Sequence, residues 1–207
     1  MGMKVAFAQQ KGGAGKTTIL SHLAHSWTRA GRDVGLVDLD PQRSLSQWSE
    51  RCEELEFDLK ESKDWRAGSD IRDSGRHHDI TLVDCPGNAD ILLRATIREC
   101  DLVLTPCQPT GLDVWATGAI LTICDAEKTP CRVIMNRIPP RGGKTEEMLA
   151  ALSDMEASVL ASRLGNRVAF SSGMLDGTTA ISGNRKSIAR DEVEALRIEI
   201  DAVLAGL

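Results

Sequence analysis

The sequence predicts an α/β fold of the doubly wound kind, in which helices cover both faces of a mostly parallel sheet. The first indication is that short, continuously apolar runs alternate with longer segments of helical periodicity. Uninterrupted apolar strands are typical of parallel sheets that are buried on both faces. The second indication is that several runs end at a carboxylate or a proline, where such folds bind ligands. We expect the 207 residues to form one domain, over residues 1–207.

Five apolar runs are predicted to form strands, and Val168–Phe170 is a weaker sixth candidate. Because only 3% of the residues are aromatic and tyrosine is absent, the core is expected to be aliphatic. The five runs are Lys4–Ala8, Val34–Asp38, Ile80–Val83, Leu102–Leu104 and Val133–Met135.

Six segments between and after these runs are predicted to be helical. In the first of them, Leu20, Leu23, Ala24 and Trp27 recur at the spacing of one helix face. The six segments are Ile19–Ala30, Ser44–Leu55, Asp90–Glu99, Val114–Glu127, Thr145–Leu164 and residues 187–207.

Composition argues against several classes of protein. The formal net charge of −5 argues against a globally basic nucleic-acid-binding protein, although it does not restrict a local patch. The six cysteines form no C-x-x-C pair, so zinc binding and redox pairing have no support, and a reducing cytoplasm is the expected location. No run of residues is long and apolar enough for a membrane span, and the N-terminus does not resemble a signal peptide.

The most informative motif is Lys-Gly-Gly-Ala-Gly-Lys-Thr-Thr at residues 11–18. It stands between the first predicted strand and the first predicted helix, as a phosphate-binding loop requires. Glycines allow positive φ and a close approach of backbone N–H groups to phosphate oxygens, and the helix N-terminus adds positive charge. The motif therefore predicts a P-loop NTPase. The residues expected to bind the nucleotide phosphates are Gly12, Gly13, Ala14, Gly15, Lys16, Thr17 and Thr18.

The motif also contains one lysine more than a phosphate-binding loop needs. Lys16 is expected to neutralise the outer phosphates, and the Thr17 hydroxyl is expected to bind Mg²⁺. Gln10 occupies the position of the first glycine in G-x-x-x-x-G-K-[ST], so the strict pattern fails. The pattern that fits is the deviant Walker A motif, K-G-G-x-G-K-T-T, which includes Lys11.

Two carboxylates, Asp38 and Asp40, follow the second predicted strand. Beside a phosphate site, Asp38 is expected to support Mg²⁺ and Asp40 to orient the attacking water. The alternative is a turn that caps the helix beginning at Ser44, because Asp-Pro sequences often start turns.

A further carboxylate, Asp84, ends the third predicted strand and begins the sequence D-x-x-G, which Gly87 completes. Asp84 is expected to hold Mg²⁺, and the Gly87 N–H to contact the γ-phosphate and release it after hydrolysis. Asn136 follows another strand, where its amide can read a purine edge or cap a loop. Asp113 is expected to cap the helix that follows it, with a switch role as the alternative.

The chain resembles the ParA/MinD group of ATPases, and most closely the small ParA-type partition ATPases without an N-terminal DNA-reading domain. The motifs that carry this resemblance are residues 11–18, Val37–Gln42, Ser44–Trp48 and Leu82–Gly87. It extends from about Lys4 to Arg137 and is weak after that.

The resemblance implies an Mg²⁺-dependent ATPase that is slow without a partner and dimerises when it binds ATP. Lys11 would reach the nucleotide of the other protomer, as a catalytic residue alongside Lys16 and Asp40. The ATP-bound homodimer would bind DNA non-specifically and so associate with the nucleoid. A centromere-binding partner protein would stimulate hydrolysis, in plasmid or chromosome partition.

Several alternatives remain open. A MinD-like membrane switch needs a basic amphipathic C-terminal helix, whereas residues 191–207 contain five acidic residues and one base, Arg197. A nitrogenase-reductase-like iron–sulfur protein has no support from the contexts of Cys85 and Cys107. A cargo-positioning ATPase or a biosynthetic enzyme of the same fold stays possible.

The basic residues expected to contact DNA are Arg163, Arg167, Arg185, Lys186 and Arg190.

Overall fold

A computed structural model describes residues 2–63, 65–87, 90–141, 144–183 and 186–207. Its strands are β1 (Met3–Phe7), β2 (Val34–Asp38), β3 (Asp58–Glu61), β4 (Ile80–Asp84), β5 (Leu102–Cys107), β6 (Cys131–Ile138) and β7 (Val159–Gly165). They form one parallel sheet of order β3-β2-β4-β1-β5-β6-β7, which confirms the predicted doubly wound fold.

Helices pack on both faces of this sheet. The helices are α1 (Lys16–Arg29), α2 (Ser44–Glu50), α3 (Ala67–His77), α4 (Asp90–Glu99), α5 (Gly111–Glu127), α6 (Thr145–Asp154) and α7 (Ile188–Leu204). The first face, with Val5 and Phe7, packs against α1, α2 and α7, and the second, with Ala6 and Ala8, packs against α3, α4 and α5. Successive side chains of a strand point to opposite faces, and because both faces are covered by helices, the central strands are apolar throughout.

The prediction of one helix over Thr145–Leu164 is wrong. The helix α6 ends at Asp154, Glu156 has a left-handed φ of 56°, and the chain then forms the edge strand β7. The apolar residues of β7 also fit helical spacing, but the open edge of β6 gives their backbone a hydrogen-bonding partner. Pairing with β6 therefore makes this segment a strand and not a helix.

The prediction of a strand at Val168–Phe170 is also wrong, because these residues form a 3₁₀ turn. The turn uses local backbone bonds, and the Phe170 ring packs edge-on against His22. Two further elements, β3 and α3, were not predicted, because β3 is short and polar and α3 contains Gly68 and Gly75. None of the helices within the described ranges is both long and apolar enough for a bilayer crossing.

Candidate functional site

The phosphate loop lies at the carboxyl end of the central strands, between β1 and α1. Strand register places Phe7, Asp38 and Asp84 side by side at this edge, because Asp84 pairs with both of the others. Gly15 is the residue before α1 and has a φ of 102°, a left-handed conformation that glycine adopts without strain. The loop therefore presents its backbone beside two strand-end carboxylates.

The side chains of Lys16, Thr17 and Asp84 form the buried floor of this site. The Lys16 Nζ lies 3.4 Å from the Gln9 carbonyl oxygen, and the Thr17 hydroxyl donates to Asp84 Oδ2 at 2.6 Å. The other oxygen, Asp84 Oδ1, is buried and has no hydrogen-bond partner among the described residues. Burial raises the pKa of Asp84 to about 7, against the opposing effects of the Thr17 hydrogen bond and the Lys16 charge.

These donors fit a magnesium ion. The described residues contain no group of three or more His, Cys, Asp or Glu side chains able to enclose a metal. Mg²⁺ prefers a site of this open kind, since it is usually held by one or two protein oxygens together with waters and substrate phosphates. The unpartnered Asp84 Oδ1 and the Thr17 hydroxyl supply such oxygens.

The two carboxylates after β2 have different surroundings. Asp38 is 3% exposed; its Oδ2 accepts hydrogen bonds from the Ser46 N–H at 2.9 Å and hydroxyl at 2.7 Å, and its Oδ1 accepts from the Asp40 N–H. In this arrangement Asp38 holds the beginning of α2, and its contact with Mg²⁺ stays a prediction. Asp40 lines the open cleft, and its Oδ1 accepts from the Gln42 N–H at 2.9 Å. Its role toward water also stays a prediction.

A cleft of about 800 Å³ lies above the phosphate loop. Gly87 also lines it, and the contact of its N–H with the γ-phosphate stays a prediction. Its far wall is formed by α2, Arg137 and the segment after the 3₁₀ turn. Gly177 lets this segment pack on the end of α2, because a Cβ there would lie 2.1 Å from the Arg51 oxygen. The far-wall residues are Gln47, Trp48, Arg51, Arg137, Ser171, Met174 and Leu175.

The residues of this far wall were not among the predicted site residues. Arg137 directly follows Asn136 near the end of a strand, and this position could have marked it as a residue of the cleft. Met174 and Leu175 belong to a loop that packing over long range brings to the cleft, and no local pattern marks them.

The additional lysine, Lys11, is paired within its own chain. Its Nζ contacts the carboxylate of Asp113, which is completely buried and also accepts from the Thr110 hydroxyl. The prediction that Asp113 caps α5 is wrong in position, since Thr110 is the N-cap and accepts from the Asp113 N–H. Asp113 Oδ1 has no hydrogen-bond partner in the described part of the chain.

Asn136 lies behind the phosphate loop and is 5% exposed. Its Nδ2 donates to the Ala14 carbonyl at 2.8 Å, and its Oδ1 accepts from the Arg137 N–H at 2.9 Å. Of its two expected roles, this geometry corresponds to loop capping, and a contact with a base stays a prediction.

Most of the basic residues predicted to contact DNA already have partners. Arg167 makes two hydrogen bonds to the Glu192 carboxylate, at 2.9 and 2.6 Å, and Arg190 donates to backbone carbonyls. Arg163 is paired more loosely with Glu146, at 3.5 Å. Lys186 is exposed, while Arg185 lies outside the described residues. Arg163, Arg167 and Arg190 are thus paired within the chain, and a contact of any of these residues with DNA stays a prediction.

This sheet, loop and pair of strand-end carboxylates define a P-loop nucleotide-binding protein with a second lysine in its loop. The chain belongs to the CobQ/CobB/MinD/ParA nucleotide binding domain family, whose model matches residues 5–180.

Individual relatives agree with this assignment. The chain is 30% identical, over 95% of both chains, to the maintenance of carboxysome distribution protein A of Halothiobacillus neapolitanus. It is 28% identical to protein ParA of Rhizobium radiobacter, over 81% of this chain and 80% of that one. The septum site-determining protein MinD of Pyrococcus horikoshii, solved with Mg-ADP, has the same fold, with a TM-score of 0.79, 18% identity and coverage of 99% and 98%.

Proposed function

We propose that this ParA/MinD-family protein is an Mg²⁺-dependent ATPase that works as a dimeric switch and positions a large cargo. The observation that carries the proposal is the pairing of a complete phosphate site, Lys16 with Thr17 and Asp84, with a separate lysine at position 11. The first group accounts for nucleotide binding. Lys11 is an additional cation, which the chain does not need to bind its own nucleotide because Lys16 already serves that purpose.

The phosphate loop, Lys16 and Thr17 would hold the triphosphate of ATP, and Asp84 with Thr17 would hold Mg²⁺. The bound ion would neutralise charge that develops between the phosphates. The MinD structure solved with Mg-ADP supports this assignment of nucleotide and metal. Asp40, at the edge of the cleft, would accept a hydrogen bond from the attacking water and so orient it.

Lys11 would leave Asp113 when a second ATP-bound copy approaches and would contact that copy's phosphates. A cation placed there is strongly favoured, because the phosphates concentrate negative charge in a site from which the second copy excludes water. Hydrolysis would be slow until a partner protein stimulates it, and the dimer would then separate.

The ATP-bound dimer would bind DNA non-specifically, in the cytoplasm and on the nucleoid. Exposed basic residues such as Lys186 would contact phosphates, and two copies would double the number of such contacts. The motifs that this chain shares with ParA-type partition ATPases favour a plasmid or chromosome as the cargo. The carboxysome distribution relative, which aligns over 95% of the chain, favours a second candidate, the positioning of a large protein assembly.

The basic activity is tested by measuring ATP turnover with Mg²⁺ or with EDTA, and DNA binding with ATP or ADP at two salt concentrations. We expect turnover only with Mg²⁺, and DNA binding only with ATP, falling steeply as salt rises. DNA binding that ignores the nucleotide would contradict the switch. Deletion in the host separates the two cargoes, since a partition ATPase is needed for plasmid or chromosome inheritance and an assembly-positioning ATPase is not.

A further inference from the structure

Both polar atoms of the Asn136 amide are hydrogen-bonded within the chain itself. Its Nδ2 donates to the Ala14 carbonyl at 2.8 Å, and its Oδ1 accepts from the Arg137 N–H at 2.9 Å. Ala14 is 1% exposed and Asn136 is 5% exposed, so water does not replace this donor if it is removed. The bond joins the end of β6 to the middle of the phosphate loop, 122 residues away in sequence.

The loop also packs directly on this amide. A Cβ at Gly15 would lie 2.5 Å from Asn136 Nδ2, closer than any side chain could tolerate. The residue that reaches the cleft from this end of β6 is Arg137, whose left-handed φ of 53° lies at an irregularity in the pairing of β6 with β7. Asn136 therefore faces the rear of the loop, and its neighbour lines the nucleotide cleft.

We propose that Asn136 is a positioning residue for the phosphate loop. Asn136 acts on the nucleotide through the backbone of Ala14 and Gly15 and does not read the base. This inference rests on the proposed nucleotide-binding function. Removing the donor leaves a buried carbonyl unsatisfied, which is costly, and the loop relieves that cost by moving. Its N–H groups then lose their alignment toward the phosphates, whatever base the nucleotide contains.

A base-free ligand separates the two roles. Binding of ATP, GTP and inorganic tripolyphosphate, each with Mg²⁺, is measured by calorimetry for the wild type, Asn136→Leu and Asn136→Ser. Leu preserves volume and Ser preserves polarity, and neither supplies the Nδ2 donor, so one variant suffices if the other fails to fold. We expect all three affinities to fall by a similar factor, about tenfold or more.

The matched control is Gln108→Ala. Gln108 Nε2 donates to the neighbouring loop carbonyl of Gly13 at the same distance, 2.8 Å, but this bond is exposed. Water replaces it, so its loss is expected to change the affinities less than about threefold.

The outcomes are distinct. If the variants bind tripolyphosphate as the wild type does and lose only the preference between ATP and GTP, Asn136 reads the base and the inference fails. If the variants retain all three affinities, it fails as well. If the wild type binds none of the three ligands, the proposed nucleotide function itself is wrong.

Discussion

The two lysines of the phosphate loop lie in contrasting surroundings. Lys16 is 8% exposed and lies close enough to Asp84 for its charge to affect that carboxyl, on the buried floor of the cleft. The Lys11 side chain is 34% exposed and is paired with the buried carboxylate of Asp113, at the beginning of α5. One chain thus brings together the residues expected to bind phosphate, whereas Lys11 is paired with a carboxylate on α5 of the same chain. Nucleotide binding and dimerisation are therefore expected to be separable by mutation.

The largest effect is expected for Lys16→Ala. This change removes the buried cation of the phosphate site, and ATP affinity should fall by on the order of 100-fold or more, because charge-assisted bonds to the phosphates are lost. Equilibrium titration with ATP and Mg²⁺ measures it. The control is Lys144→Ala, since that lysine contacts Glu147 on the surface. Equal affinities for the two variants would show that the phosphate site lies elsewhere.

Asp40→Ala should affect turnover and leave binding largely intact. If Asp40 orients the attacking water, single-turnover hydrolysis should slow by about 100-fold or more, while ATP affinity stays within about threefold. Rapid-quench hydrolysis and nucleotide titration measure the two quantities separately. Full turnover in this variant would remove Asp40 from the catalytic role.

The buried imidazole of His22, on α1, is expected to make the stability of the fold depend on pH. Burial lowers its pKa from 6.5 to about 4, so between these values the unfolded chain binds more protons than the folded one. The free energy of unfolding should therefore fall as pH drops from 6.5, by up to about 3 kcal/mol near pH 4. No such loss from His22 is expected above pH 6.5.

Urea unfolding of His22→Leu between pH 7 and pH 4 tests this prediction. The variant should show a smaller loss of stability toward low pH than the wild type. The control is His77→Leu, because that imidazole is exposed on α3. An unchanged pH profile in the His22 variant would mean that other groups cause the acid sensitivity.

A smaller effect is expected for Asp113→Asn. In the wild type, Lys11 must leave a buried carboxylate without its cation, and an uncompensated buried charge is unfavourable. With asparagine no charge is left behind, so the ATP-bound dimer should form at about tenfold lower protein concentration. Sedimentation at several concentrations measures this. Weaker dimerisation would show that Asp113 supports the dimer instead of restraining Lys11.

Much of the phosphate site could be predicted, because its parts follow from local sequence and from one rule of topology. Thr17 belongs to a recognisable motif, and Asp84 ends an apolar strand. Parallel strands end at one edge of the sheet, which brings the two side chains within 2.6 Å.

The second lysine's partner could not be predicted in the same way. Lys11 and Asp113 are 102 residues apart, and their contact depends on how α5 packs. The edge strand β7 was missed for a similar reason, since its apolar spacing also fits a helix and its pairing with β6 decides. Where a contact or an element depends on packing between residues that are distant in sequence, neither a motif nor the apolar periodicity predicts it.

Lys11 is proposed to act across a dimer interface and not on its own nucleotide. This role is tested by the molar mass of Lys11→Ala, measured by light scattering with ATP and Mg²⁺ beside the wild type, and by its ATP affinity. We expect the wild type to be a dimer. We expect the variant to bind ATP within about threefold of wild type but to remain monomeric, since its loop N–H groups and Lys16 are intact. A Lys11→Ala protein that dimerises normally with ATP would contradict this role.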